Sequence, residues 1–101
     1  MLHIEDKEFI EIYEKFMKLS NGDIEGLMSL SESLRDKSFN DLNCVKQFID
    51  LKFIKKIIFI MNEIPQIIIP IEDFETKSVY RKIFENLCEV LYNLMLSLIH
   101  I

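Results

Sequence analysis

Phe53-Ile54-Lys55-Lys56-Ile57-Ile58-Phe59-Ile60-Met61, followed by Asn62-Glu63-Ile64-Pro65-Gln66-Ile67-Ile68-Ile69, is the stretch whose reading decides the fold. Wound as a helix, its first part is apolar on nearly every side and must be deeply buried. Laid flat, its β-branched residues suit two strands, with the segment around Asn62 to Pro65 as the turn of a hairpin. Two considerations favour a helix ending near Asn62. A lone hairpin leaves two sheet edges to manage, and Pro70 cannot donate to a ladder. Residues 64–72 are then expected to form an apolar connection pinned to the core by Ile67, Ile69 and Ile71.

Downstream, Val79, Ile83, Leu87, Val90, Leu91, Leu94 and Leu98 recur at the i, i+3, i+4, i+7 spacing of an amphipathic helix. Arg81, Lys82, Glu85, Asn86, Glu89 and Asn93 are assigned to its opposite, polar side. Asp73, Thr76 and Ser78 are each able to cap this last helix, expected over 76–99. A single helix cannot bury such a stripe, so the rest of the chain must cover it.

Upstream, Phe9, Ile10, Tyr13, Phe16 and Met17 form one stripe of a helix expected over 4–19. Glu11–Lys15 and Glu14–Lys18 are i, i+4 pairs in the favourable order, each adding a few tenths of a kcal/mol. Asn21-Gly22 offers a left-handed stop, and Asp23 is a good N-cap for a second helix over 23–36. That helix carries Ile24, Leu27, Met28, Ser31 and Leu34 on one face. Asn40 is expected to cap a third helix, over 40–62, bearing Leu42, Val45, Phe48 and Ile49 before it enters the deciding stretch.

Composition agrees with long helices. Half of the 101 residues are hydrophobic and 29% are charged, a globular balance in a chain long enough for one domain. Two glycines and two prolines are few for a protein of many strands and tight turns. A net charge of −5, with no basic run, disfavours direct nucleic-acid binding. The N-terminus lacks the basic and apolar regions of a signal peptide, and the apolar runs are far short of the ~20 residues that span a bilayer. Cytoplasm or nucleus is the expected location. Cys44 and Cys88 lack CxxC spacing and read as reduced, small hydrophobes; a bridge between them would require secretion.

With the helices placed, Leu27 to Leu94 resembles an armadillo-type repeat. Phe48 to Met61 follows the I-V-x-x-G-x-I-x-x-L-I-x-L-L spacing of that family's first and second helices. Leu87-Cys88-Glu89-Val90-Leu91-Tyr92-Asn93-Leu94 follows the A-x-x-A-L-x-N-L end of its third, and Gly26 to Ser31 looks like a weaker copy. Lys52 stands where the family has its turn glycine, which would join the first two helices into one; Ser29 replaces one family asparagine; and the loop from Asn62 to Asp73 is long. Lys46 to Pro65 also resembles, less specifically, the helical N-terminal domain of transcription elongation factors, with Phe53-Ile54-Lys55-Lys56 in place of its I-G-K core. The armadillo resemblance implies that asparagine of the third helix holds a partner peptide's backbone. Asn93 is the position that carries over, with Asn86 and Glu89 beside it.

Catalytic and metal signatures are lacking. There is no H-E-x-x-H, no paired Cys/His spacing, no Gly-rich phosphate loop and no GxSxG, and His3 and His100 lie at opposite ends of the chain. Ser29, Ser31, Ser33 and Ser38 read as capping or solvated helix positions. The basic cluster Lys52, Lys55, Lys56 suits an acidic partner or phosphate, but reads better as solvated positions whose stems cover apolar surface. The sequence therefore predicts one all-α domain over 1–101, or a fragment of a longer repeat array, with four or five helices in armadillo-like stacking or a compact bundle. Its expected role is non-catalytic, without cofactor or metal: binding another protein or peptide through Asn93, Glu89 and Asn86. The alternatives are a helical subunit that forms a homodimer or larger complex through its apolar C-terminal helix, and an elongation-factor-like domain.

Overall fold

The computed structural model describes residues 7–20, 22–40 and 51–99, with side chains as far as 96 in the last stretch. Its four helices are α1 (Lys7–Lys18), α2 (Ile24–Asn40), α3 (Leu51–Ile68) and α4 (Phe74–Ile99), and no strand occurs among the described residues. The hairpin alternative is thus replaced by one helix. Phe53, Ile57, Ile60 and Ile64 are buried, a 4-3-4 spacing that only a helical period gathers on one side. A strand would have turned alternate residues outward.

Two expected boundaries move, and one expectation falls outside the described residues. Asn40 is the last residue of α2 rather than the cap of a third helix. The expected helical start over 41–50 lies outside the described residues. At its other end α3 runs through Pro65 to Ile68, where a connection was expected from residue 64. Proline inside a helix removes one backbone hydrogen bond and costs about 3 kcal/mol or more. The turn forms because Ile64 is buried, and Ile67 and Ile68 pack against the core beyond the proline, while Pro65 itself faces outward. Only Ile69 to Asp73 are left to reverse the chain, with the Ile71 amide donating to the Ile68 carbonyl at 3.1 Å.

The caps follow side-chain chemistry. Asp23 accepts from the Gly26 amide at 2.9 Å and opens α2. A β-carbon at Gly26 would lie 2.6 Å from an Asp23 carboxylate oxygen and 2.7 Å from Leu19 Cδ1, so glycine lets that cap close tightly. Of the left-handed stop expected at Asn21-Gly22, Asn21 lies outside the described residues, and Gly22 is not at positive φ. Its amide donates instead to Ser20 Oγ at 3.3 Å.

Asp73 opens α4, accepting from both the amide and the hydroxyl of Thr76. The Thr76 hydroxyl foremost, then its amide, holds the Asp73 carboxyl below its ordinary value of 3.8. A carboxyl depressed on folding adds stability above its unfolded pKa and loses it as pH falls through the folded one. Asp73→Ala is therefore expected to lower the melting temperature at neutral pH, and the gap to wild type should close as pH drops below about 4. Circular-dichroism melts across that range test it; a gap that persists in acid would contradict the capping role.

The helices run up-down-up-down. Glu8 and Ile12 of α1 share a groove with Ser33, Asp36, Lys37 and Asn40 of α2, which makes that pair antiparallel. Ile64, Pro65 and Ile68 of α3 likewise face Arg81, Phe84 and Glu85 of α4. α2 and α4 run parallel and form the most extensive helix contact. α1 joins α3 through side chains, with the Phe53 ring 5.4 Å from Tyr13 and 5.7 Å from Phe16. The core gathers residues from all four helices: Phe9 and Phe16, Leu27 and Leu34, the buried face of α3, and Tyr80, Ile83, Leu87, Val90 and Leu94 of α4. The shape is elongated, with a radius of gyration of 14.1 Å against about 13 Å for a compact domain of this length.

Candidate functional site

The three residues expected to bind a partner lie along the seam between α4 and α2. Ser31 and Ser38 of α2 are buried and seven residues apart. Asn86 and Asn93 of α4 are also seven apart, and each donates from Nδ2 to the serine 55 residues before it, at 3.1 and 3.0 Å. A constant offset with equal spacing is the signature of two parallel helices in heptad register. Small serines let α4 approach, because the distance between packed helices is set by the side chains at the contact.

Each hydroxyl is used twice. Ser31 Oγ donates to the Met28 carbonyl at 3.1 Å and Ser38 Oγ to the Arg35 carbonyl at 2.9 Å. Their protons are thus spent locally, which leaves the oxygens to accept from the asparagine amides. Arg35 then settles which way Asn86 points. A guanidinium only donates, and Nη1 lies 2.7 Å from Asn86 Oδ1. Arg35 also reaches Asp36 at 3.1 Å, while its Nε lies 3.8 Å from Glu89. No buried side-chain nitrogen or oxygen among the described residues lacks a partner.

This corrects the polar face drawn from the sequence. Asn86 is 0% exposed with both amide atoms engaged, so it serves cohesion and offers nothing to a partner. Asn93 is half-buried and turned to Ser38, and Glu89 alone of the three is exposed. α4 touches both α2 and α3, so its buried arc is wider than the apolar stripe, and the asparagines sit on the widened edge. Sequence reasoning read Ser38 as a capping or surface position, and the matching seven-residue intervals of Ser31/Ser38 and Asn86/Asn93 do not by themselves say that the two helices meet.

The lysine cluster also divides. Lys52 and Lys55 are exposed, as a solvated face requires. Lys56 folds back to donate to the carbonyls of Met17 and Leu19 at 3.0 and 2.8 Å, with Nζ 5.6 Å from the Phe16 ring centre. It satisfies carbonyls that the end of α1 leaves open, where a cation also suits the helix dipole. Burial pushes its amine below the ordinary 10.5. This lysine fastens α1 to α3.

Cys88 is a half-buried free cysteine whose thiol is pushed above its ordinary 9.0 by burial and then by the carboxylate of Glu85. That environment disfavours the thiolate needed for nucleophilic chemistry. Cys44, His3 and His100 lie outside the described residues. Among the described residues no three His, Cys, Asp or Glu side chains gather as a metal site, and no helix is long and apolar enough to cross a membrane.

Two surfaces stand out among the described residues. On α3, Leu51, Ile58 and Phe59 are exposed opposite the buried face. Between the first turns of α2 and α4 lies an open groove of about 620 Å³, with apolar Ile24, Met28 and Val79 and acidic Glu25, Glu32, Asp73 and Glu75 among its lining. No family model, no curated protein and no solved structure matches the chain, so neither the armadillo nor the elongation-factor resemblance gains support from them.

Proposed function

We propose that this chain is a non-catalytic helical interaction domain that meets a partner protein through the outer face of α3. The observation that carries the reading is the double-sidedness of that helix. Leu51, Ile58 and Phe59 are 65%, 44% and 51% exposed, while Phe53, Ile57, Ile60 and Ile64 fill the core on the other side. Single exposed apolar residues are ordinary, but three on one helix, interspersed with exposed Lys52 and Lys55, give an outer face whose apolar part has the pattern of a surface covered by a partner. The antiparallel pairing of α3 with α4 brings Leu51 to Phe59 level with the part of α4 that exposes Tyr92 and Met95. Complex formation through apolar helix surface therefore stands ahead of peptide binding on the last helix. The armadillo-like form of the proposal keeps Glu89 and Asn93 as its contact residues, without Asn86.

The test compares wild type, Phe59→Glu and Glu89→Gln as bait for proteins of the native host, with light scattering to detect a second copy as the partner. Phe59→Glu should lose the partner and keep its melting temperature, since exposed substitutions usually stay within about 0.5 kcal/mol. Loss with Glu89→Gln instead would favour the last-helix reading. Equal capture by all three baits would remove the α3 face from consideration.

A further inference from the structure

We propose that the groove between the N-terminal turns of α2 and α4 docks a basic amphipathic helix of a partner protein, independently of the α3 face. Its apolar part is the edge of the core, where Ile24, Met28 and Val79 pack against the buried cluster while staying half open. Its charge is of one sign. Glu25, Glu32, Asp73 and Glu75 line it, and no Lys or Arg does.

Three of these acids have local explanations. Asp73 caps α4, and Glu25 and Glu75 sit in first turns, where helix dipoles favour carboxylates. Glu32 has none: it lies mid-way along α2, one side of the same groove, seven residues beyond Glu25. An apolar strip walled by carboxylates matches an apolar ridge flanked by lysine or arginine, the helix-in-groove mode of recognition. From Ile24 to Glu32 the groove runs roughly 12 Å, about two turns of a docked helix, and its volume of about 620 Å³ falls in the ~300–1,000 Å³ range of ligand sites. The α3 face cannot serve the same partner equally, because exposed Lys52 and Lys55 stand beside its apolar residues and repel a basic helix.

Nuclear magnetic resonance titration of the full chain tests this with three synthetic peptides. The first is a leucine–lysine helix with its leucines on one face, the second has the same composition in scrambled order, and the third carries glutamate in place of lysine. Amide shifts around Ile24, Met28 and Val79 are expected with the first peptide alone. Glu25→Gln/Glu32→Gln should weaken that binding about tenfold, with melting lowered by no more than the few degrees that the Glu25 carboxylate contributes at the start of α2, and Phe59→Glu should leave it intact. Shifts centred on Leu51, Ile58 and Phe59, equal binding of the scrambled peptide, or undiminished affinity in the double variant would each overturn the proposal.

Discussion

Phe53→Ala is expected to lower the melting temperature by roughly 20 °C. The ring is fully buried between Tyr13 and Phe16, and truncating such a phenylalanine costs about 3–5 kcal/mol. In a domain of this length each kcal/mol moves the midpoint by about 4–8 °C, and total stability is typically about 5–15 kcal/mol. The loss should appear first in α1. That helix meets α3 through Phe53 and through Lys56 on the carbonyls of Met17 and Leu19, so amides of residues 9–18 should exchange faster than those of α4. Phe53→Leu, which keeps most of the volume, should cost far less. A Phe53→Ala protein melting within a few degrees of wild type, with α1 still protected, would refute the packing of α1 on α3.

Asn86→Ala is expected to cost roughly 2–4 kcal/mol, because it strands two groups at once. The Arg35 guanidinium loses a 2.7 Å acceptor, and Ser31 Oγ loses its donor in a fully buried position. Asn93→Ala should cost less, about 1 kcal/mol, since Asn93 is half-buried and its amide holds only the Ser38 hydroxyl among the described residues. Ser31→Ala combined with Asn86→Ala should fall short of the sum of the single effects by about 0.5–1 kcal/mol, as residues sharing a hydrogen bond do. Urea unfolding of wild type and these four variants measures this directly. Strict additivity, or equal costs at Asn86 and Asn93, would mean that the seam does not bond as described.

Much of the fold was legible in the residues. The edges a lone hairpin would leave, together with Pro70, favoured a helix for the deciding stretch as far as Asn62, Asp23 was identified as a cap, and Ile83, Leu87, Val90 and Leu94 were placed in the core where they lie. The misses share a cause. Residues 64–72 read locally as a connection, yet burial of Ile64 and packing of Ile67 and Ile68 carried α3 through Pro65 and outweighed one lost hydrogen bond. Asn86 argued locally for a solvated face, yet Arg35 and Ser31, more than fifty residues away in sequence, supplied its partners.

By itself, then, the order of residues determined that α1, α2 and α4 wind into helices, which flank of each is apolar, and where α2 starts. It favoured a helix over a hairpin for the first part of α3. Periodicity measures the angle of a side chain around its own helix. It does not say which second helix arrives at that angle, or whether its approaching atoms are methyls or hydrogen-bonding groups. Only the tertiary structure decided that α2 and α4 lie parallel through two Ser–Asn contacts, and that Asn86 is internal while Leu51, Ile58 and Phe59 face outward. These outcomes depend on contacts between residues far apart in sequence, which no local pattern encodes.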